Sequence, residues 1–166
     1  MPVTDVIQDV DSRSLTIIAE FAAPPSRVWQ LYADPRQLEQ IWGPVGYPAT
    51  VVDHDLTPGG KVTYYMTSPE GEKFCGYWLV DAVDEPDRLD FRDGFADEDF
   101  VPNDVMPLAT NVYTFVASDT DAGQPGTLAT YVTTFDTVEA LQKVLEMDVI
   151  EGATSAISQI DAVLAG

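Results

Sequence analysis

The C-terminal stretch from Asp136 to Gly166 constrains this chain most. Val138, Leu141, Leu145, Val149, Gly152, Ala156, Ile160 and Val163 recur at steps of three or four. A neighbouring line runs through Met147, Ile150, Ala153, Ile157, Ile160 and Leu164. This pattern predicts one long amphipathic helix with an apolar face wider than a coiled-coil seam. Asp136 with Glu139 three residues on reads as a capping-box-like start. A lone helix must bury its apolar face, and a sheet is the partner on offer.

The rest of the chain supplies that sheet. Ser14–Ala22 reads as a strand, followed by two short helices. The first opens at Pro24-Pro25 and carries Val28, Leu31 and Tyr32 on one face; the second opens at Asp34-Pro35 and carries Leu38, Ile41 and Trp42. From Ala49 on the period changes to two. Strands are expected at Thr50–Leu56, Gly60–Thr67, Lys73–Val83, Arg88–Phe95, Asn111–Ala117 and Thr127–Phe135. Short turn sequences such as Pro58-Gly59-Gly60 and Glu85-Pro86-Asp87 separate most of them, which favours an antiparallel meander. The expected fold is α+β: a curved antiparallel sheet of about seven strands wrapped on the long helix, the short helices plugging one end and a cavity left at the other. Residues 1–13 read as an N-terminal extension and 14–166 as a single domain.

Eight basic residues against 28 acidic give a formal net charge of −20. Such a surface repels phosphate backbones and anionic lipid, so neither nucleic acid nor a membrane is expected as a partner. The acidity reads as solubility, or as a surface for a basic partner. One cysteine, Cys75, rules out an intramolecular disulfide, and with one histidine it provides no His/Cys metal cluster. The first fourteen residues lack a basic and an apolar region, and no apolar run approaches membrane-spanning length, so a cytoplasmic protein is expected. No cofactor or metal is expected. The acidic stretch Asp93–Asp99 lacks EF-hand spacing and reads as a solvated loop, with Ca²⁺ chelation as the alternative.

Pro25-Ser26-Arg27-Val28-Trp29, Leu38-Glu39-Gln40-Ile41-Trp42-Gly43-Pro44, Asp55-Leu56-Thr57-Pro58-Gly59-Gly60 and Pro86-Asp87-Arg88-Leu89 occur in an order that resembles the SRPBCC (START-like, helix-grip) superfamily. Within it the chain resembles the homologues of the activator of the heat-shock-protein-90 ATPase. Asp93 to Asp99, Glu151-Gly152 and Gln159-Ile160-Asp161 resemble one bacterial subgroup. The resemblance covers about residues 14–165. It departs at Ile41, where a tryptophan is usual, at Asp148-Val149, where Gly-Met is frequent, and at His54, where an aliphatic residue is usual. The resemblance implies a pocket: superfamily members bind lipids, phenolics, polyketides and hormones, and some are cyclases or dehydratases. It also implies a link to stress response.

Candidate site residues follow from strand parity. Alternation places Val52, His54 and Leu56 on one face. His54 could contact a ligand, act as an acid or base beside a tyrosine, or be a core histidine held by a backbone carbonyl. As a cavity residue it would titrate near ~6.5 and favour an acidic aromatic ligand below that pH. Tyr64 and Met66, Phe91 and Phe95, Tyr113 and Phe115, and Tyr131 and Phe135 share parity in pairs. The expected lining is Trp42, His54, Tyr64, Met66, Trp78, Phe91, Tyr113, Phe115 and Tyr131 from the sheet side, with Leu145 and Val149 from the helix. Arg92, Asn111 and Thr133 are further polar candidates. No residue is assigned a catalytic role. The expected function is binding of a small hydrophobic, aromatic or phenolic molecule. The alternatives are a cyclase- or dehydratase-type enzyme using His54 and an interaction protein acting through its acidic face. A homodimer is left open.

Overall fold

The structure is a computed structural model that describes residues 2–165. Its elements in chain order are β1 (Val3–Asp9), β2 (Ser14–Phe21), α1 (Pro25–Ala33), α2 (Pro35–Trp42), β3 (Ala49–His54), β4 (Lys61–Thr67), β5 (Lys73–Asp84), β6 (Arg88–Ala96), β7 (Ala109–Ala117), β8 (Thr127–Thr134), α3 (Val138–Glu146), α4 (Val149–Ser158) and α5 (Ile160–Ala165). The strands form one eight-stranded antiparallel sheet in the order β1-β2-β8-β7-β6-β5-β4-β3. Strands β3 to β8 are the expected meander, and β2 joins its far end through β8.

Both short helices form where proline and cap chemistry place them. Pro25 opens α1, which buries Val28, Trp29, Leu31 and Tyr32. Asp34 caps α2 by accepting from the Arg36 N–H at 2.9 Å, ahead of Pro35. Their buried faces join Ile17, Phe21, Trp78, Leu89, Phe91 and Phe115 in the main core.

Three features differ from the sequence reading. Val3–Asp9 is an edge strand on β2 within the stretch read as an extension. A register shift between Val3 and Asp5 puts Val3 and Val6, three apart, against the core, so the period-two signal never appears. The long helix is interrupted. Asp148 takes the left-handed conformation at φ 57°, after the Met147 and Asp148 N–H groups bond three residues back to Val144 and Leu145. Segment α3 therefore packs on its own cluster of Phe135, Leu141 and Val144, while Ile157 and Ile160 join the main core. The cap of α3 is Thr137, whose Oγ1 accepts from the Ala140 N–H at 3.0 Å, and not Asp136.

The third difference is in β3. A register shift between Val51 and Asp53 breaks the expected alternation: Val51 is buried at 3% exposure and Val52 is 52% exposed. Val52 and His54 therefore do not share a face.

Left-handed backbone at Asp148 opposes a side chain with a Cβ, by about 1–2 kcal/mol for most residues and less for aspartate. Asp148→Gly is expected to raise stability by up to ~1 kcal/mol and the melting temperature by a few degrees. Asp148→Val is expected to lower both; equal melting curves for the two variants would show that the break carries no strain.

Candidate functional site

Between the sheet and the helices lies a cavity of about 360 Å³. Leu15 and Ile17 of β2, Ile41 of α2, and Ala153 and Ile157 of α4 make part of its apolar wall. The helix break contributes Met147, Asp148 and Val149, so the interruption that the sequence pattern conceals sits directly on the cavity.

Of the residues expected from sequence, Trp42, Tyr64, Met66, Tyr113, Tyr131 and Val149 border this space. Trp78, Phe91 and Phe115 lie outside the lining and form the core behind it. Trp78 stacks on Phe91 with centroids 4.2 Å apart, and Phe91 meets Tyr113 edge-on at 5.0 Å. Leu145 is also outside the lining and packs on the Phe135–Leu141–Val144 cluster.

His54 is corrected more fundamentally. It does not border the cavity. Its Nε2–H donates to the Tyr32 carbonyl at 2.8 Å, satisfying one of the unpaired carbonyls at the C-terminal end of α1. Beyond the bulge in β3, His54 pairs with Val62 on the inner face, its ring against that helix end. Arg92 is also elsewhere, paired with Asp81 at 3.1 Å on the exposed side.

The polar groups at the cavity include Tyr64, Tyr113, Tyr131, Asn111 and Thr133 from the expected set, joined by Asp93. The Tyr64 hydroxyl donates to Asp93 Oδ1 at 3.0 Å. Asp93 belongs to β6 rather than to a solvated loop, and its accessible surface faces the cavity. Burial pushes its carboxyl up to about 7, only partly offset by the Tyr64 bond. The rest of the acidic stretch behaves as a loop: Asp97 accepts from the N–H groups of Asp99 and Val101. The Tyr32 and Tyr131 hydroxyls pair at 3.0 Å, and burial raises both well above the usual phenol range. Asn111 accepts from Thr133 Oγ1 at 2.7 Å, while its buried Nδ2 finds no partner among the described residues. The Trp42 indole N–H is likewise buried without one. Among the described residues, no lysine, arginine or histidine lines the cavity.

A glycine holds this arrangement. Gly76 pairs with Tyr64 across β4 and β5, and a Cβ there would collide with the Tyr64 ring. The ring lies across the bare backbone and aims its hydroxyl at Asp93. Asp93 was accessible to sequence reasoning, since it shares parity with Phe91 and Phe95 on β6. Its acidic neighbours in sequence, Asp97 to Asp99, masked that signal.

A curved antiparallel sheet gripping C-terminal helices over an apolar cavity defines a helix-grip protein. The family described as Activator of Hsp90 ATPase homolog 1-like protein matches residues 22–165, and the chain belongs to that family. It is 64% identical to protein Ms6760 from Mycobacterium smegmatis, with a TM-score of 0.87 over 98% of this chain and 97% of that one. It is 43% identical to a protein from Arthrobacter aurescens, with a TM-score of 0.90 over 98% and 92%. The AHSA1 protein from Silicibacter pomeroyi shares the fold at 24% identity and a TM-score of 0.64, over 92% of this chain and 97% of that one. No curated protein matches the chain. No helix among the described residues is long and apolar enough to cross a membrane.

The raised Asp93 carboxyl makes stability depend on pH with a defined sign. The folded state holds the proton up to about 7, and the unfolded chain releases it near 3.8. This contribution is therefore fully present below the unfolded value and is lost as pH rises toward and through about 7. Asp93→Asn keeps an acceptor for Tyr64 without the ionisation. Its stability relative to wild type is expected to rise by on the order of a few kcal/mol between pH 4 and pH 8. Parallel pH profiles from thermal melts would show that the carboxylate reaches water as readily when folded as when unfolded.

Proposed function

We propose that the protein binds a small hydrophobic molecule, aromatic in character, in the cavity between the sheet and α4. The observation that carries this reading is the cavity itself: about 360 Å³, walled largely by apolar and aromatic side chains, with a few convergent polar groups. That size and composition suit a compact organic ligand. Aromatic edges from Trp42, Tyr64 and Tyr113 favour a planar ring system. Membership of a helix-grip family supports the same reading, although fold alone names no ligand.

Acid–base chemistry on His54 has no geometric support, because its Nε2 is engaged with the Tyr32 carbonyl. Among the described residues lining the cavity, the group poised near neutrality is Asp93.

A thermal-shift screen of fused-ring aromatics, flavonoids and fatty acids tests the proposal. A ligand at 100 times its Kd should stabilise by ~2.7 kcal/mol, a shift of several degrees for a chain of this size. Gly152 borders the cavity, and a Cβ there would meet only Pro44 Cγ at 3.8 Å. No ring from the sheet closes on Gly152. Gly152→Ala should therefore stabilise by up to ~1 kcal/mol and retain binding. Gly152→Leu should fill the space and abolish the ligand-induced shift. A screen without any shift, or an undiminished shift in Gly152→Leu, would overturn the assignment.

A further inference from the structure

We propose that Asp93 and Asn111 form a head-group subsite that takes the hydroxyl of an uncharged, hydroxylated aromatic molecule and turns carboxylates away. This rests on the ligand-binding reading above and names the chemistry of the same site.

The two residues lie on one wall. Asp93 pairs with Ala109 across β6 and β7, and Asn111 is two residues further along β7. They are therefore diagonal neighbours on the same face, a separation of about 7–8 Å between strands. A single atom that both donates and accepts can bridge two such side chains. Their hydrogen-bonding capacities are complementary. Tyr64 occupies Asp93 Oδ1 and, among the described residues, no donor reaches the other oxygen, which leaves an acceptor. Thr133 fixes the Asn111 carbonyl, and the amide nitrogen, on a residue 3% exposed, remains a donor without a protein partner. A hydroxyl donates to the first and accepts from the second; a carboxylate has no proton to give Asp93 and brings a like charge beside it.

The surroundings sharpen this choice. The groups that face Asp93 are Tyr64 on β4 and Tyr113 on β7, with Tyr32 on α1 and Tyr131 on β8 further along the cavity. Burial raises each of these phenols, so all are neutral near pH 7. The other charged side chain at the cavity among the described residues is Asp148, an acid again. Beyond the cavity the formal net charge of −20 opposes the approach of any anion. Nothing lining the site offers an anionic ligand a counter-charge.

The test uses three probes with one apolar body: naphthalene, 2-naphthol and 2-naphthoate, titrated calorimetrically into the full chain at pH 8. The expected order is 2-naphthol over naphthalene by ~10-fold or more, with 2-naphthoate weakest. Relative to naphthalene, Asp93→Asn should weaken 2-naphthol and improve 2-naphthoate, so that their ratio falls by ~10-fold. Asn111→Ala should weaken 2-naphthol relative to naphthalene. In wild type the naphthol-to-naphthoate ratio should shrink below pH 7, as Asp93 gains its proton, and stay flat in Asp93→Asn. Naphthalene binding in each variant reports that the cavity is intact. Should naphthalene bind while 2-naphthol and 2-naphthoate bind alike, or should Asp93→Asn leave their ratio unchanged, the subsite is wrong and the cavity reading stands. Binding of none of the three would overturn the cavity reading and the subsite together.

Discussion

The contact on which the cavity depends is the one between Tyr64, Gly76 and Asp93. A carboxyl group set in an apolar wall is strongly disfavoured unless something bonds it. Here that bond comes from the Tyr64 hydroxyl at 3.0 Å. The hydroxyl reaches Asp93 because the Tyr64 ring lies across the backbone of Gly76, its register partner. Any side chain at position 76 would occupy the space of that ring. One residue without a Cβ therefore decides where a ring lies, and the ring decides how a buried acid is held. The remaining shift of Asp93 toward neutrality is the part of the desolvation that one hydrogen bond does not offset.

The helix break has a comparable influence on shape. The turn at Met147-Asp148 separates two packing tasks. Upstream, α3 closes on Phe135, Leu141 and Val144. Downstream, α4 and α5 lie against the main core through Ile157 and Ile160. Residues at the junction border the cavity. Apolar wall and polar wall are thus divided between layers: the helices supply mostly aliphatic contacts, and the sheet supplies Tyr64, Asp93, Asn111 and Tyr131. Trp78, stacked on Phe91, shares the inner face with its register partner Asp93 and packs beside the cavity against Trp42.

Much of the fold was legible because long periodic patterns survive averaging. The meander, the two proline-led helices and the apolar stripe of the C-terminal region all appear as repeated spacings. What escaped the sequence reading was local irregularity. Register shifts at Val3/Asp5 and Val51/Asp53 each insert one residue and invert parity beyond it. The first hid a strand, and the second turned Val52 outward while His54, paired with Val62, stayed on the inner face outside the cavity. Neither shift has a signature in residue type, because a bulge is set by how two strands pair. The helix break at Asp148 was hidden for a related reason: the apolar spacing continues across it. Six of the residues expected along the cavity border it, while Trp78, Phe91 and Phe115 pack in the core outside the lining. Parity assigns a face but not a depth, and depth is set by the layer packed on top.

The amino-acid sequence by itself determined the class of fold, the antiparallel connectivity and an inward face rich in aromatic rings. Those properties follow from periodicity, turn chemistry and side-chain type, which act over a few residues. Tertiary structure alone decided which polar groups meet in the cavity. Asp93, Tyr64 and Asn111 come from three strands, and only the sheet register makes them neighbours. The same register, with the bulge in β3, bound His54 to the end of α1. A side chain's chemistry is written in its own residue, but its protonation and its partners depend on what is packed around it.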